Sequence, residues 1–190
     1  MGTYATHAIV IGRHSFGEAD RILVMLTPEQ GVIRAVAKGI RKIKSRLAGH
    51  LELFSESELM LATGRNLDVV TSARLIRHLS ADNYDRMRLA YLFAEMINRL
   101  AGEHEHHEGL YSLLQEAFAV LAVGETMPSA LLELWFKLRL LDRLGYRPEL
   151  DACVACGTAD PAREYLFSPV LGGIVDAAEL DRLRAAGVIG

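Results

Sequence analysis

Residues Arg34 to Arg46 read RAVAKGIRKIKSR, with six basic side chains, Arg34, Lys38, Arg41, Lys42, Lys44 and Arg46, and no acidic one. Its first half has the alternation of a strand: Arg34, Val36 and Lys38 share one face, while Ile33, Ala35 and Ala37 share the other. One face is expected to be core and the other charged. Gly39 then permits a sharp turn, and the charge continues through a connection suited to a short helical turn. Such a run concentrates positive potential where a polyanion can lie, although basic runs are also common as plain solvated surface.

Working outward, the apolar residues of the first part fall in short segments. Ala8 to Ile11, Ile22 to Leu26, Val32 to Ala37, Leu51 to Leu61 and Leu67 to Ile76 are β-rich or alternating and predict five strands. Gly17, Pro28-Glu29-Gln30-Gly31 and Thr63-Gly64-Arg65-Asn66 supply turns between them. Five short strands suit a small closed barrel of the OB type, which manages its edges by closure and often carries nucleic acid on one face. The basic run lies between the third and fourth strands. Its cations are the expected phosphate contacts, with Lys38, Arg41, Lys42 and Arg46 foremost.

Composition sets the limits. The 190 residues are 51% hydrophobic and 24% charged, as in a folded globular protein of one large or two small domains. No stretch reaches the roughly 18 apolar residues of a membrane span, and no signal-peptide layout opens the chain, so a cytoplasmic location is expected. The net charge of -3 argues against a nucleic-acid protein until it is divided. Residues 1–80 carry 11 Lys and Arg against 7 Asp and Glu, a balance of +4, which leaves 10 against 17, or -7, for residues 81–190. A basic first part on an acidic second part fits an anion-binding domain joined to one free for protein contacts. Stacking platforms are scarce, for the first part offers only Tyr4, Phe16 and Phe54. Binding is therefore expected to be electrostatic, tolerant of sequence and weakened by salt.

The ordered pieces Gly17-Glu18-Ala19-Asp20-Arg21-Ile22, Leu26-Thr27 with Gly31, Ala37-Lys38-Gly39-Ile40-Arg41, Lys44-Ser45-Arg46-Leu47 and Leu53-Phe54 resemble the N-terminal domain of the bacterial recombination mediator family RecO. The resemblance extends in weaker form to about residue 180. It implies an OB-fold domain that binds single- and double-stranded DNA, a helical domain and a small zinc-binding element. It also implies strand annealing and the loading of recombinase onto DNA covered by single-strand-binding protein, with RecR as a partner. A rival enzyme reading takes His14, Glu18 and Asp20 as metal ligands of a nuclease. The plainer one places Glu18 and Asp20 at a turn, bonding backbone amides or pairing with Arg21.

After Ser80 the period becomes helical. Leu89, Leu92, Phe93, Met96, Ile97 and Leu100 mark a helix from about Ala81 to Ala101, ended by Gly102. Leu110, Leu113, Leu114, Ala117, Phe118 and Leu121 give the buried face of a second, from Gly109 to Val123. A third, from Ser129 to Leu144, is apolar nearly all round and is expected at the centre of a bundle, any uncovered remainder being a partner site. Between the first two, Glu103-His104-Glu105-His106-His107-Glu108 reads as a solvated loop rather than a metal tract.

Cys153-Val154-Ala155-Cys156 is half of a zinc knuckle. In RecO proteins the resemblance implies four cysteines, yet Asp176 and Glu179 stand where the second pair is expected. A degenerate finger held by packing is the expectation, with zinc on Cys153 and Cys156 the lesser alternative and a redox role for the pair less favoured still. A last short helix is expected over Glu179 to Ala186. RecO-like chains commonly continue beyond this region, so a shortened form and a fragment both fit.

The expected class is thus α+β: an OB-type five-stranded β-barrel (1–80), a helical domain (81–150), and a degenerate zinc-finger-like element with a C-terminal helix (151–190). The expected function is non-enzymatic DNA-binding mediation in recombination and repair, with DNA, RecR and single-strand-binding protein as partners. The alternative is a protein-interaction adaptor acting through its helices without touching DNA.

Overall fold

The computed structural model describes residues 2–79, 83–124 and 127–187. The chain divides into two compact units, residues 1–140 and 141–190.

In the first unit, strands β1 (Thr3–Phe16), β2 (Asp20–Thr27), β3 (Gly31–Ala37), β4 (Ser55–Ala62) and β5 (Asp68–His78) close into a barrel of order β1-β2-β3-β5-β4. β1 is long enough to serve two neighbours, pairing with β4 through Thr3 to Ile9 and with β2 from Ile9 onward. A register shift between Val10 and Gly12 bends it from one partner to the other. Closure comes from a short parallel pairing of Ala35 and Val36 with Asp68 and Val69. Side chains of period two fill the interior: Ala8 and Val10, Leu23 and Met25, Ile33, Ala35 and Ala37, Leu59 and Leu61. This is the OB-like barrel expected from the sequence.

The outside of the barrel is drier than expected. Val32 and Val36 are buried as well, so β3 keeps only Arg34 exposed, in place of the charged face that alternation predicts. The fourth strand starts at Ser55 rather than Leu51. Leu51 enters the core from a segment that follows a 3₁₀ turn at Ala48–His50, and Phe54 takes a left-handed φ of 65°. That kink sends the Phe54 ring into the helices, edge-on to Tyr91 at 5.0 Å and to Phe118 at 5.5 Å.

Three helices follow: α1 (Tyr84–Leu100), α2 (Leu110–Val123) and α3 (Ser129–Arg143). The expected first turn of α1 at Ala81 and Asp82 lies outside the described residues; Asn83 caps the helix by accepting the Asp85 N–H at 2.8 Å. α2 buries Leu110, Leu113, Leu114, Ala117, Phe118 and Leu121, its expected face. α3 differs. It buries only Leu132, Phe136 and Leu140, with Phe136 stacked on Phe93 at 4.0 Å, and leaves Leu131 and Leu134 about half exposed at 51% and 52%. It is a one-sided helix, not the centre of a bundle.

In the second unit, β6 (Tyr165–Ser168) and β7 (Gly173–Asp176) form a hairpin followed by α4 (Ala177–Ala185). Cys153, Val175 and Leu180 make its small core. No helix among the described residues is long and apolar enough to cross a membrane.

Candidate nucleic-acid interface

The basic loop leaves β3 at Lys38 and is tied down at once. Gly39, at a φ of 65°, donates its N–H to the Asp20 carboxylate at 2.7 Å, and the Arg41 N–H reaches the Ala19 carbonyl at 3.0 Å. Between them Ile40 is buried in the barrel core. The anchored end then turns twice, with Lys42 N–H on Gly39 O at 3.1 Å and Ser45 N–H on Lys42 O at 2.9 Å. Leu47 brings the chain back against the core. Lys38, Arg41, Lys42, Lys44 and Arg46 all stand exposed, and none has an ion-pair partner among the described residues. Five unpaired cations on one short loop lie well within a Debye length of about 10 Å of their sequence neighbours, so their fields add.

Arg34, the sixth expected residue, stands apart from them on the barrel wall. Its guanidinium pairs with Glu103 at 3.3 Å. That carboxylate arrives because the α1–α2 loop runs along β3, with a backbone bridge between Val32 and Glu103 and the His104 N–H on Val32 O at 2.8 Å. The loop expected to be solvated is therefore partly docked. Within it the His107 Nε2 is buried without a hydrogen-bond partner among the described residues, and the Glu105 carboxylate is 3.7 Å away.

The β1–β2 turn shares the end of the barrel with the basic loop. It exposes Phe16, while Arg13 pairs with Glu52 and Arg21 lies 3.9 Å from the same carboxylate. Asp20 is occupied in holding Gly39, which matches the turn reading of this residue rather than the metal-ligand one. No group of three or more His, Cys, Asp or Glu side chains is arranged to hold a metal among the described residues.

One polar site escaped sequence reasoning. Glu56, on β4, is buried where α2 covers the barrel and accepts hydrogen bonds from Tyr111 Oη at 2.9 Å, Gln115 Nε2 at 2.6 Å and the Arg77 guanidinium. Burial, and then the Glu56 charge, push the Tyr111 hydroxyl far above its ordinary pKa. The alternating stretch Ser55-Glu56-Ser57-Glu58 gives no hint that Glu56 differs from half-exposed Glu58, because the difference lies in what α2 brings over it.

The family model described as "Recombination protein O N terminal" matches residues 1–79, and "Recombination protein O C terminal" matches residues 81–186. The chain belongs to the RecO family. It is similar to proteins named DNA repair protein RecO from Roseiflexus sp. (strain RS-1), at 42% identity over 189 residues, and from Heliobacterium modesticaldum, at 39% over 195. A third from Cutibacterium acnes is 40% identical over 183 residues. These alignments cover 95%, 100% and 92% of this chain and 64%, 70% and 73% of the relatives, so the chain spans about two thirds of their length.

The zinc implied by resemblance to RecO proteins meets an unsuitable donor set. Cys153 is buried, and its sulfur accepts the Asp176 N–H at 3.3 Å, while exposed Cys156 donates to Thr158 Oγ1 at 3.3 Å. Burial works to raise the Cys153 pKa, but the amides of Asp176, Cys156 and Ala155 hold it below the ordinary thiol value. Asp176 is already engaged by Arg163 at 2.7 Å and by the Ala178 N–H at 2.9 Å, and Glu179 by Arg182 at 2.7 Å. Two thiols without further free donors among the described residues do not fit a tetrahedral structural site.

Proposed function

We propose that this RecO-family chain binds DNA through the loop of Lys38, Arg41, Lys42, Lys44 and Arg46, with Arg34 as an outlying contact. On this reading it acts as a non-enzymatic mediator of recombination and repair. The observation that carries the reading is the unpaired, exposed state of the five loop cations on a small barrel. Residues 1–80 are the DNA-binding domain, and residues 81–150 and 151–190 serve contacts and packing. Cations on a loop follow a phosphate backbone without reading base edges, which suits a protein that must act on any sequence, single- or double-stranded. Drawing two strands onto one cationic surface lowers their mutual repulsion and favours annealing. The acidic remainder stays free for RecR and single-strand-binding protein while recombinase is loaded. The Arg163–Asp176 pair and the small core of the second unit support a finger held by packing.

Fluorescence anisotropy with single- and double-stranded oligonucleotides across a salt series tests this. Five neutralised phosphates give a slope of about -3.5 on single strands and about -4.5 on duplex, hence a loss of affinity of roughly 100- to 500-fold between about 50 and about 200 mM salt. A flat salt response contradicts the reading. The half-exposed Leu131 and Leu134 of α3 favour a second one, an adaptor that works through its helices. That alternative predicts capture of a protein partner with no retention of DNA.

A further inference from the structure

The basic loop carries one side chain that charge does not explain. Ile43 is fully exposed, at 106% of its reference surface, while Ile40 three residues earlier is buried in the barrel core. It does not dangle. The Lys42–Ser45 turn is closed by its own 2.9 Å hydrogen bond and hung from the anchored Gly39–Arg41 segment, so Ile43 and Lys44 form the tip of a braced projection. Leaving a branched apolar side chain wholly in water forgoes the burial that ordinarily stabilises it. Its flanks are Lys42 and Lys44, with Arg41 and Arg46 beyond.

We infer that Ile43 is an apolar wedge that enters between neighbouring bases when the loop cations seat on the phosphates. The inference rests on the DNA-binding reading above and names the contact that charge alone does not supply. Isoleucine is among the side chains that separate base steps in this way, at the cost of unstacking. A β-branched side chain is suited to the task, since few rotamers are open to it and little freedom is lost on insertion. Two cations beside it offset the charge of the phosphates that unstacking splays apart. The ligand is a flexible or single-stranded segment, whose bases separate most cheaply, and not a uniform duplex.

The test uses the full chain, its Ile43→Ser and Phe16→Ala variants, and a mixed-sequence single strand carrying one 2-aminopurine, a base that brightens when unstacked. With wild type, fluorescence is expected to rise on binding. Ile43→Ser is expected to abolish the rise and weaken binding by roughly three- to tenfold at every salt concentration, leaving the salt slope unchanged, because the slope counts phosphates only. Phe16→Ala is expected to keep most of the rise. The wedge is overturned if Ile43→Ser binds and brightens the probe like wild type, or if only Phe16→Ala removes the signal. Either result leaves the electrostatic reading standing, whereas the absence of salt-dependent binding by wild type removes both. Ile43 is exposed and has no packing to lose, so a defect in the variant reports on DNA and not on folding.

Discussion

At the scale of single residues, Glu56 shows how a carboxylate becomes structural. Tyr111 and Gln115 from α2 meet it on β4, so barrel and helix share one buried hydrogen-bond centre. Glu56→Ala leaves a half-buried hydroxyl and amide without partners and is expected to cost about 1–2 kcal/mol in urea unfolding, whereas Arg77→Ala, at a half-exposed partner, should cost less than about 1 kcal/mol. In the second unit, hydrogen bonding from Arg163, reinforced by the Ala178 amide, holds the Asp176 carboxyl below its ordinary value of 3.8. A depressed carboxyl stabilises fully above its unfolded pKa, and that contribution is lost as pH falls through the lower folded value. Wild type should therefore lose stability as pH falls below about 4 and on through the lower folded value. Asp176→Asn keeps a good helix cap without the charge, so its denaturation midpoint should change less over the same interval.

At the scale of elements, legibility followed the number of partners. α2 packs along one face, so its period alone identified all six buried residues. α3 is apolar nearly all round, and only its packing against Phe93 selects which stripe is buried. The docking of the α1–α2 loop on β3 was illegible because backbone bonds make it, at Val32 and His104, and these have no side-chain signature. Gly31 is its one local trace: at a φ of 65°, a Cβ there would lie 1.9 Å from the Glu105 carbonyl oxygen. Gly31→Ala should cost about 1–3 kcal/mol and speed hydrogen exchange at the His104 amide, a joint outcome that ordinary strain in the β2–β3 turn does not produce.

At the scale of the whole molecule, a formal charge of -3 conceals a barrel part that is positive, and the cations that make it so contribute little to the fold. Lys38, Arg41, Lys42 and Arg46 have no ion-pair partners among the described residues, so changing all four to Ala should move the denaturation midpoint by less than about 0.5 kcal/mol per site. Affinity for every DNA sequence should fall together, by at least about 100-fold at low salt, as a filter-binding series on unrelated oligonucleotides will show. This separation explains why the loop could be read from sequence: exposure and charge are local properties. Glu56 could not, since its role depends on a helix more than fifty residues away.

Barrel closure has a temporal consequence during synthesis. β1, β2 and β3 are complete by Ala37, yet the strands that cover the free sides of β1 and β3 run from Ser55 to Ala62 and from Asp68 to His78. A nascent chain that has emerged only as far as its basic loop is an open three-stranded meander with two unpaired edges, the condition in which sheets join those of other molecules. The basic loop directly follows β3, so a cluster of like charges stands at the end of that strand's free edge, where it disfavours pairing with a second copy.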